Sequence, residues 1–292
     1  MFLEQFFDYL RSERRYSSHT LIAYKNDIRQ FEEFIQTYQT DLLNVSHLLV
    51  RDWMVELLSQ GLTAPSINRK ISSLKTLYKF FLREGLITVN PLLKIQSLKV
   101  QKRLPVFVDE QKLSKLLDSE AFVADFAGKT SHLILEVLFG TGVRLSELLG
   151  IKESDIDFYQ KNIKVLGKRN KERLIPISSG LSDQIKTYID EKKIQNFHNN
   201  SDKLFVTKNG ADLYPKYVYR TVKSYLELIS TYEKRSPHVL RHTFATSLLY
   251  GGADINAIKE LLGHANLSAT QIYTHNSIER IKSIYKQAHP KA

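Results

Sequence analysis

A polar, cationic, proline-containing stretch from Gln96 to Val106 (Gln-Ser-Leu-Lys-Val-Gln-Lys-Arg-Leu-Pro-Val) constrains the fold most, because the two parts it separates differ in texture. Its composition is that of a linker. Upstream, as far as Pro91, the pattern is helical only. Residues 2–12 read as a short amphipathic helix, and Ser17 and Ser18 offer an N-cap to a longer one. In the longer helix Leu21, Tyr24, Ile28, Phe31 and Ile35 recur at spacings of three and four, the mark of one buried face. A third helix is expected over 65–83, with Ile67, Ile71, Leu74, Tyr78 and Phe81 turned inward. The division predicts a helical domain over 1–98, a linker over 99–107 and a second domain over 108–292.

The second part opens with helices expected at 109–118 and 131–140 and then changes character. Asp155–Phe158, Asn162–Leu166 and Arg173–Ile177 are short, β-branched and separated by turn residues, so they predict a three-stranded antiparallel sheet. From 180 onward the pattern is helical again, with breaks at Pro215, Pro237, Gly251-Gly252 and Gly263. The expected class is mainly α with a small antiparallel β-sheet in the C-terminal domain.

Charge points toward the partner. The 292 residues hold 42 Lys and Arg against 31 acidic residues, a net +11 that favours a polyanion such as nucleic acid, with plain solubility as the alternative. Residues 1–100 carry 13 basic and 10 acidic residues and the remainder 29 and 21, so both parts can face one polyanion. Cysteine is absent, which excludes disulfides and thiolate metal sites. The amino terminus carries acids inside its apolar stretch and no cationic leader, so neither a signal peptide nor a membrane anchor is expected and the protein is placed in the cytoplasm.

The 65–83 helix sharpens that reading. Arg69, Ser72, Ser73, Thr76, Lys79 and Arg83 lie opposite its apolar stripe, and no carboxylate occurs between Glu56 and Glu84. Such a cationic and hydroxylic face suits phosphate contact, with Arg69, Lys70, Ser73, Lys75 and Lys79 as candidate DNA-binding residues, although a solvated face has the same pattern.

Further candidates are scattered. Arg144 follows Gly140-Thr-Gly-Val, where two glycines loosen the chain before a helix whose amides and guanidinium suit a phosphate; alone, this reads rather as a surface arginine after a glycine turn. Lys168 occupies the expected hairpin between the second and third strands with Arg169 and Lys171, where it can protonate a leaving oxygen or merely be solvated. His238 and Arg241 are i,i+3 neighbours after Pro237. His238 and His242 have the spacing of a helical zinc pair, but position 239 is Val rather than Glu, so no metal is expected. His264 follows Gly263 and reads alone as a helix-end residue, and Tyr273 is one of 15 tyrosines. Jointly, however, a hydroxyl, permanent cations and two imidazoles are what metal-free attack on a phosphodiester requires. Arg144, Lys168 in a hairpin, His-x-x-Arg, Leu-Gly-His and Tyr273 nine residues on are not assembled by packing needs alone.

The chain therefore resembles the tyrosine recombinases of the phage integrase family, most closely the bacterial Xer type. The resemblance spans nearly the whole length. It includes Tyr16-Ser-Ser-His-Thr-Leu-Ile-Ala-Tyr24, Asn68-Arg-Lys-Ile-Ser-Ser-Leu-Lys75, Gly167-Lys168, Asn170-Lys-Glu-Arg173, the two histidine boxes and Tyr285-Lys-Gln-Ala-His289-Pro290. Arg169 stands where such hairpins often carry Gly, and Ser247 where His is frequent.

The resemblance implies a two-domain C-shaped clamp on double-stranded DNA, with Tyr273 as nucleophile of a 3′-phosphotyrosyl intermediate. Arg144, Lys168, His238, Arg241 and His264 would be its catalytic partners, and Arg169 and Lys171 further DNA contacts. It also implies that no cofactor is needed, that four protomers assemble on two sites, alone or with a paralogous recombinase, and that a DNA translocase can regulate them. Chromosome dimer resolution at a dif-like site is the expected role. An integrase of a phage or conjugative element is the alternative within the class, and a non-catalytic DNA-binding regulator the alternative outside it.

Overall fold

The computed structural model describes residues 2–100, 108–167, 171–198, 201–231, 235–263, 283 and 285–289. The chain divides into two units, Met1–Arg103 and Leu104–Ala292.

In the first unit, α1 (Phe2–Ser12), α2 (Ser18–Gln36), α3 (His47–Ser59) and α4 (Ala64–Arg83) surround a single core. Helix α2 starts where Ser17 Oγ accepts the Thr20 amide, and α3 where Ser46 Oγ accepts that of Leu49. All five inward residues expected on α4, Ile67, Ile71, Leu74, Tyr78 and Phe81, are buried. Trp53 of α3 packs its ring 4.9 Å from Phe31 of α2.

The second unit is built on α6 (Phe126–Thr141), almost wholly buried along its second half and packed against three later helices, α8 (Ser179–Ile194), α9 (Pro215–Glu227) and α10 (Pro237–Tyr250). Before it lies α5 (Glu110–Leu117). Helix α6 begins earlier than the expected residue 131, because Asp125 Oδ1 caps the Gly128 amide at 2.7 Å. Only glycine fits at 128, since a Cβ there would lie 2.0 Å from the Val123 carbonyl oxygen. After α6 come the single turn α7 (Leu145–Leu148) and a sheet of β1 (Ile156–Asp157), β2 (Asn162–Leu166) and β3 (Glu172–Pro176), antiparallel in the order β1-β2-β3.

Register pairs Val165 with Arg173 and Leu166 with Glu172, and the Gly167 amide closes the β2–β3 hairpin on the Lys171 carbonyl at 2.7 Å. Pro215 and Pro237 open α9 and α10, as expected of residues whose missing N–H costs nothing in a first turn. Helix α11 (Ile255–Leu262) ends at Gly263, whose φ of 64° is left-handed.

Near the carboxyl end, the Tyr285 hydroxyl donates to the Gly140 carbonyl at 2.9 Å, and its ring stacks on His289 at 4.9 Å. Tyr285 and Ala288 are thus part of this unit's own core. Ile278, Ile281 and Ile284, which precede Tyr285 in the sequence, lie outside the described residues. Among the described residues no helix is long and apolar enough to cross a membrane.

Candidate active site

Arg144 is the N-cap of α7, and Glu147 folds back over it. Glu147 Oε2 accepts the Arg144 amide at 2.8 Å and Oε1 accepts Arg144 Nη1 at 2.6 Å. Two expectations for this segment are thereby corrected. Gly140 lies inside α6 and Gly142 is that helix's left-handed cap, so the glycines end one helix rather than loosen the approach to the next. The amide at the head of α7 is taken by a carboxylate rather than open to a phosphate.

Glu147 also receives Arg173 of β3 as a fork, Nη1 to Oε1 at 2.9 Å and Nη2 to Oε2 at 2.8 Å. Burial by itself would raise the Glu147 pKa. The bonds and charge of Arg173, then the amide and side chain of Arg144, outweigh it and bring the carboxyl down to about 2.

The end of α11 draws the cluster together. A helix leaves its last carbonyls without intrahelical donors and carries partial negative charge there. Here three successive carbonyls each take a different arginine: Leu261 accepts Arg173 Nε at 2.9 Å, Leu262 accepts Arg241 Nη2 at 2.6 Å, and Gly263 accepts Arg144 Nη2 at 3.0 Å. The other arm of Arg241 donates to the Gly142 carbonyl at 2.5 Å. Segments more than a hundred residues apart thus meet at one corner.

Three guanidiniums around one carboxylate leave the corner positive. Burial first, and then the charge of Arg144, lower the Arg241 pKa to about 10, so the group stays protonated at neutral pH but as a poorly solvated cation held by neutral carbonyls. An arriving anion relieves it. The Arg144 side chain is 30% exposed, whereas that of Arg173 is 5% exposed with Nε, Nη1 and Nη2 all bonded within the protein, so Arg144 can reach a ligand and Arg173 cannot.

The structure therefore brings Arg144 and Arg241 together. His238 is exposed on the first turn of α10, one turn before Arg241. Lys168, Arg169, His264 and Tyr273 lie outside the described residues, but Gly167 and Gly263, which precede Lys168 and His264 in the sequence, border the cluster. A Cβ built on Gly167 would sit 3.5 Å from Glu147 Oε1, and Gly263 supplies the carbonyl that holds Arg144. Lys171 is exposed at the foot of the hairpin. His238 and His242 are both exposed, and among the described residues no group of three or more His, Asp or Glu is arranged to hold a metal.

The cationic face expected on α4 is corrected. Asp27 of α2, 1% exposed, lies beneath it and accepts Arg69 through both Nη atoms at 2.5 and 2.8 Å, Lys70 Nζ at 3.3 Å and Ser73 Oγ at 2.8 Å. Lys70 and Ser73 are buried, and Lys70 bonds Gln30 as well. Lys75 reaches the Ile95 carbonyl at 2.9 Å, and Arg83 pairs with Glu13 and Glu84. Lys79 remains exposed, and Arg69 is half exposed. The missing carboxylates come from outside the helix, where a search of the helix's own sequence does not look.

Neither Arg173 nor Glu147 is among the candidate site residues expected from sequence. A signal for Arg173 existed: alternation along β3 points residues 173 and 175 to the same buried face, and a cation on such a face requires a carboxylate.

Comparison with known proteins agrees with this geometry. The phage integrase family matches residues 107–280, and the N-terminal SAM-like domain of phage integrases matches residues 3–85. A protein of Listeria monocytogenes named tyrosine recombinase XerC is 40% identical over 296 residues, covering 99% of this chain and 97% of its own. Its namesake in Listeria innocua is 39% identical over 292 residues with the same coverage. Among solved structures, the XerH site-specific recombinase in a post-cleavage complex with its difH substrate shares the fold, with a TM-score of 0.73, 23% identity, and coverage of 96% of this chain and 83% of that one. The chain belongs to the phage integrase family, as a Xer-type tyrosine recombinase, an enzyme that cleaves and rejoins DNA.

Proposed function

We propose that this recombinase resolves chromosome dimers in the cytoplasm by strand exchange at a dif-like site on double-stranded DNA, with Tyr273 as the nucleophile. The observation that carries the chemistry is the convergence of Arg144, Arg173 and Arg241 on the end of α11, a positive corner with one carboxylate. The role rests on the end-to-end likeness to proteins named XerC.

The phenolic oxygen of Tyr273 attacks the scissile phosphorus, the bond to the 5′ oxygen breaks, and a 3′-phosphotyrosyl bond forms. Arg144 and Arg241 neutralise the nonbridging oxygens as charge builds, each such donor contributing about 2.7–4 kcal/mol in comparable oxyanion sites. His238 orients the tyrosine or takes its proton, His264 bonds a phosphate oxygen, and Lys168 protonates the departing oxygen. The freed 5′-hydroxyl then attacks the phosphotyrosine of a partner strand and releases Tyr273. Bond energy is conserved across the cycle, so neither a nucleotide nor a metal cofactor is required.

Residues 1–98 form the helical core-DNA-binding domain and 108–292 the catalytic domain, joined by 99–107, and both bind the duplex. Lys79, Arg69, Arg169 and Lys171 supply phosphate contacts. Four protomers, of this chain alone or with a paralogue, act on two sites under the control of a DNA translocase.

A duplex nicked just beyond the scissile phosphate tests the reading, because the short product diffuses away and traps the covalent form. The wild type should yield a denaturant-resistant adduct, and Tyr273→Phe none. A reversible shift without adduct means a non-catalytic regulator instead. Exchange between two copies of a terminus-proximal site, and not between the ends of a mobile element, separates the chromosomal role from that of an integrase.

A further inference from the structure

We propose that Arg173 is a positioning residue for strand cleavage, clamping the foot of the β2–β3 hairpin to the carboxylate that holds Arg144 and to the end of α11 that holds Arg241. This rests on the phosphate site proposed above.

Three bonds run from this one buried guanidinium, two to Glu147 and one to the Leu261 carbonyl, so it joins β3, α7 and α11 at a single point. An apolar side chain would fill an inward strand position without desolvating a charge, so packing does not demand arginine there. Lysine, a point charge without a fork, cannot serve both carboxylate oxygens and a carbonyl in fixed directions.

Two glycines press against the group. A Cβ on Gly167 would lie 3.4 Å from Arg173 Nη1, and one on Gly263 3.2 Å from the same atom. Gly167 immediately precedes Lys168, and Gly263 immediately precedes His264. The guanidinium therefore fixes the two points from which the chain leaves toward those residues, while its partner Glu147 holds Arg144 and the carbonyl next to its own holds Arg241. Buried, and with all three side-chain nitrogens bonded to Glu147 and Leu261, Arg173 does not itself reach a phosphate; it acts through its neighbours.

The full chain and the nicked duplex supply the test, with Arg173→Met, Arg173→Lys, Glu147→Gln and the double variant Arg173→Lys/Glu147→Gln. Single-turnover adduct formation at saturating DNA should fall about 100-fold in Arg173→Met, the scale expected when reacting groups shift by about 1 Å. Arg173→Lys should recover part of the rate, and the DNA Kd and thermal midpoint of Arg173→Lys should stay near the wild type. The double variant should be no slower than the slower single one, because both changes break the same link. Wild-type rates in both Arg173 variants, rates that multiply in the double variant, or rate losses that only follow loss of folding or of DNA affinity would overturn the proposal. If Arg173→Met does not fold, the Lys variant and the cycle with Glu147→Gln decide alone. A wild type that forms no adduct would bring down the cleavage reading itself, and this inference with it.

Discussion

Glu147 is one carboxylate serving two arginines from different elements, and its state governs both. Its pKa in the folded protein, about 2, lies below the ordinary carboxylate value of about 4.3. The stabilisation it gives is therefore complete above that ordinary value and is lost as pH falls through it toward 2. Glu147→Gln should be less stable than the wild type at neutral pH, and the gap between their thermal midpoints should close on acidification over that window. A gap that does not change with pH would mean that the carboxylate's charge is immaterial. Truncation to alanine should do more damage, about 3–5 kcal/mol by denaturant unfolding, because it leaves Arg173 buried without its counter-charge.

At the scale of elements, the sequence showed what periodicity and punctuation encode: α2 with its serine cap, the inward stripe of α4, the three strands, and the proline and glycine breaks that bound α9, α10 and α11. Helix α3 is not among the helices expected from sequence, because Leu48, Leu49, Val50, Trp53, Met54, Val55, Leu57 and Leu58 run most of the way round it and blur the stripe. Ion pairs were the least legible level. Asp27 meets Arg69 and Lys70 across more than forty residues, and Arg173 meets Glu147 across 26, so no local pattern announces either pair. Gly142 shows how an element ending feeds the site, for it caps α6 in a left-handed conformation and offers its carbonyl to Arg241. Gly142→Ala would place a methyl 2.4 Å from Phe244 of α10. The loss should be about 1–3 kcal/mol from overpacking, with about 1–2 kcal/mol more from the left-handed backbone, read by denaturant unfolding. Adduct formation should fall as well, since the Arg241 acceptor moves. A variant as stable as the wild type would mean that α6 and α10 can part at this point without loss.

Over the whole molecule, net charge of +11 sets how the protein meets DNA, but only side chains free to release counterions from the phosphates contribute to salt dependence. Each neutralised phosphate adds about 0.9 to the slope of log K against log salt, so a protein making about 6–10 such contacts loses about 10³–10⁵ in affinity between roughly 50 and 200 mM salt. Two lysines nine residues apart on α4 separate available charge from engaged charge. Lys79 is exposed, whereas Lys70 is buried against Asp27 and Gln30. Lys79→Ala should therefore lower the salt slope by about one and weaken binding equally on all sequences. Lys70→Met should leave the slope unchanged while lowering the melting temperature of the helical unit, because Asp27 loses part of its neutralisation inside the core. Fluorescence anisotropy titrations at a series of salt concentrations distinguish the two. Should Lys70→Met flatten the slope as much as Lys79→Ala, the buried cluster would have to open on DNA, and α4 would after all present the continuous cationic face expected from its sequence.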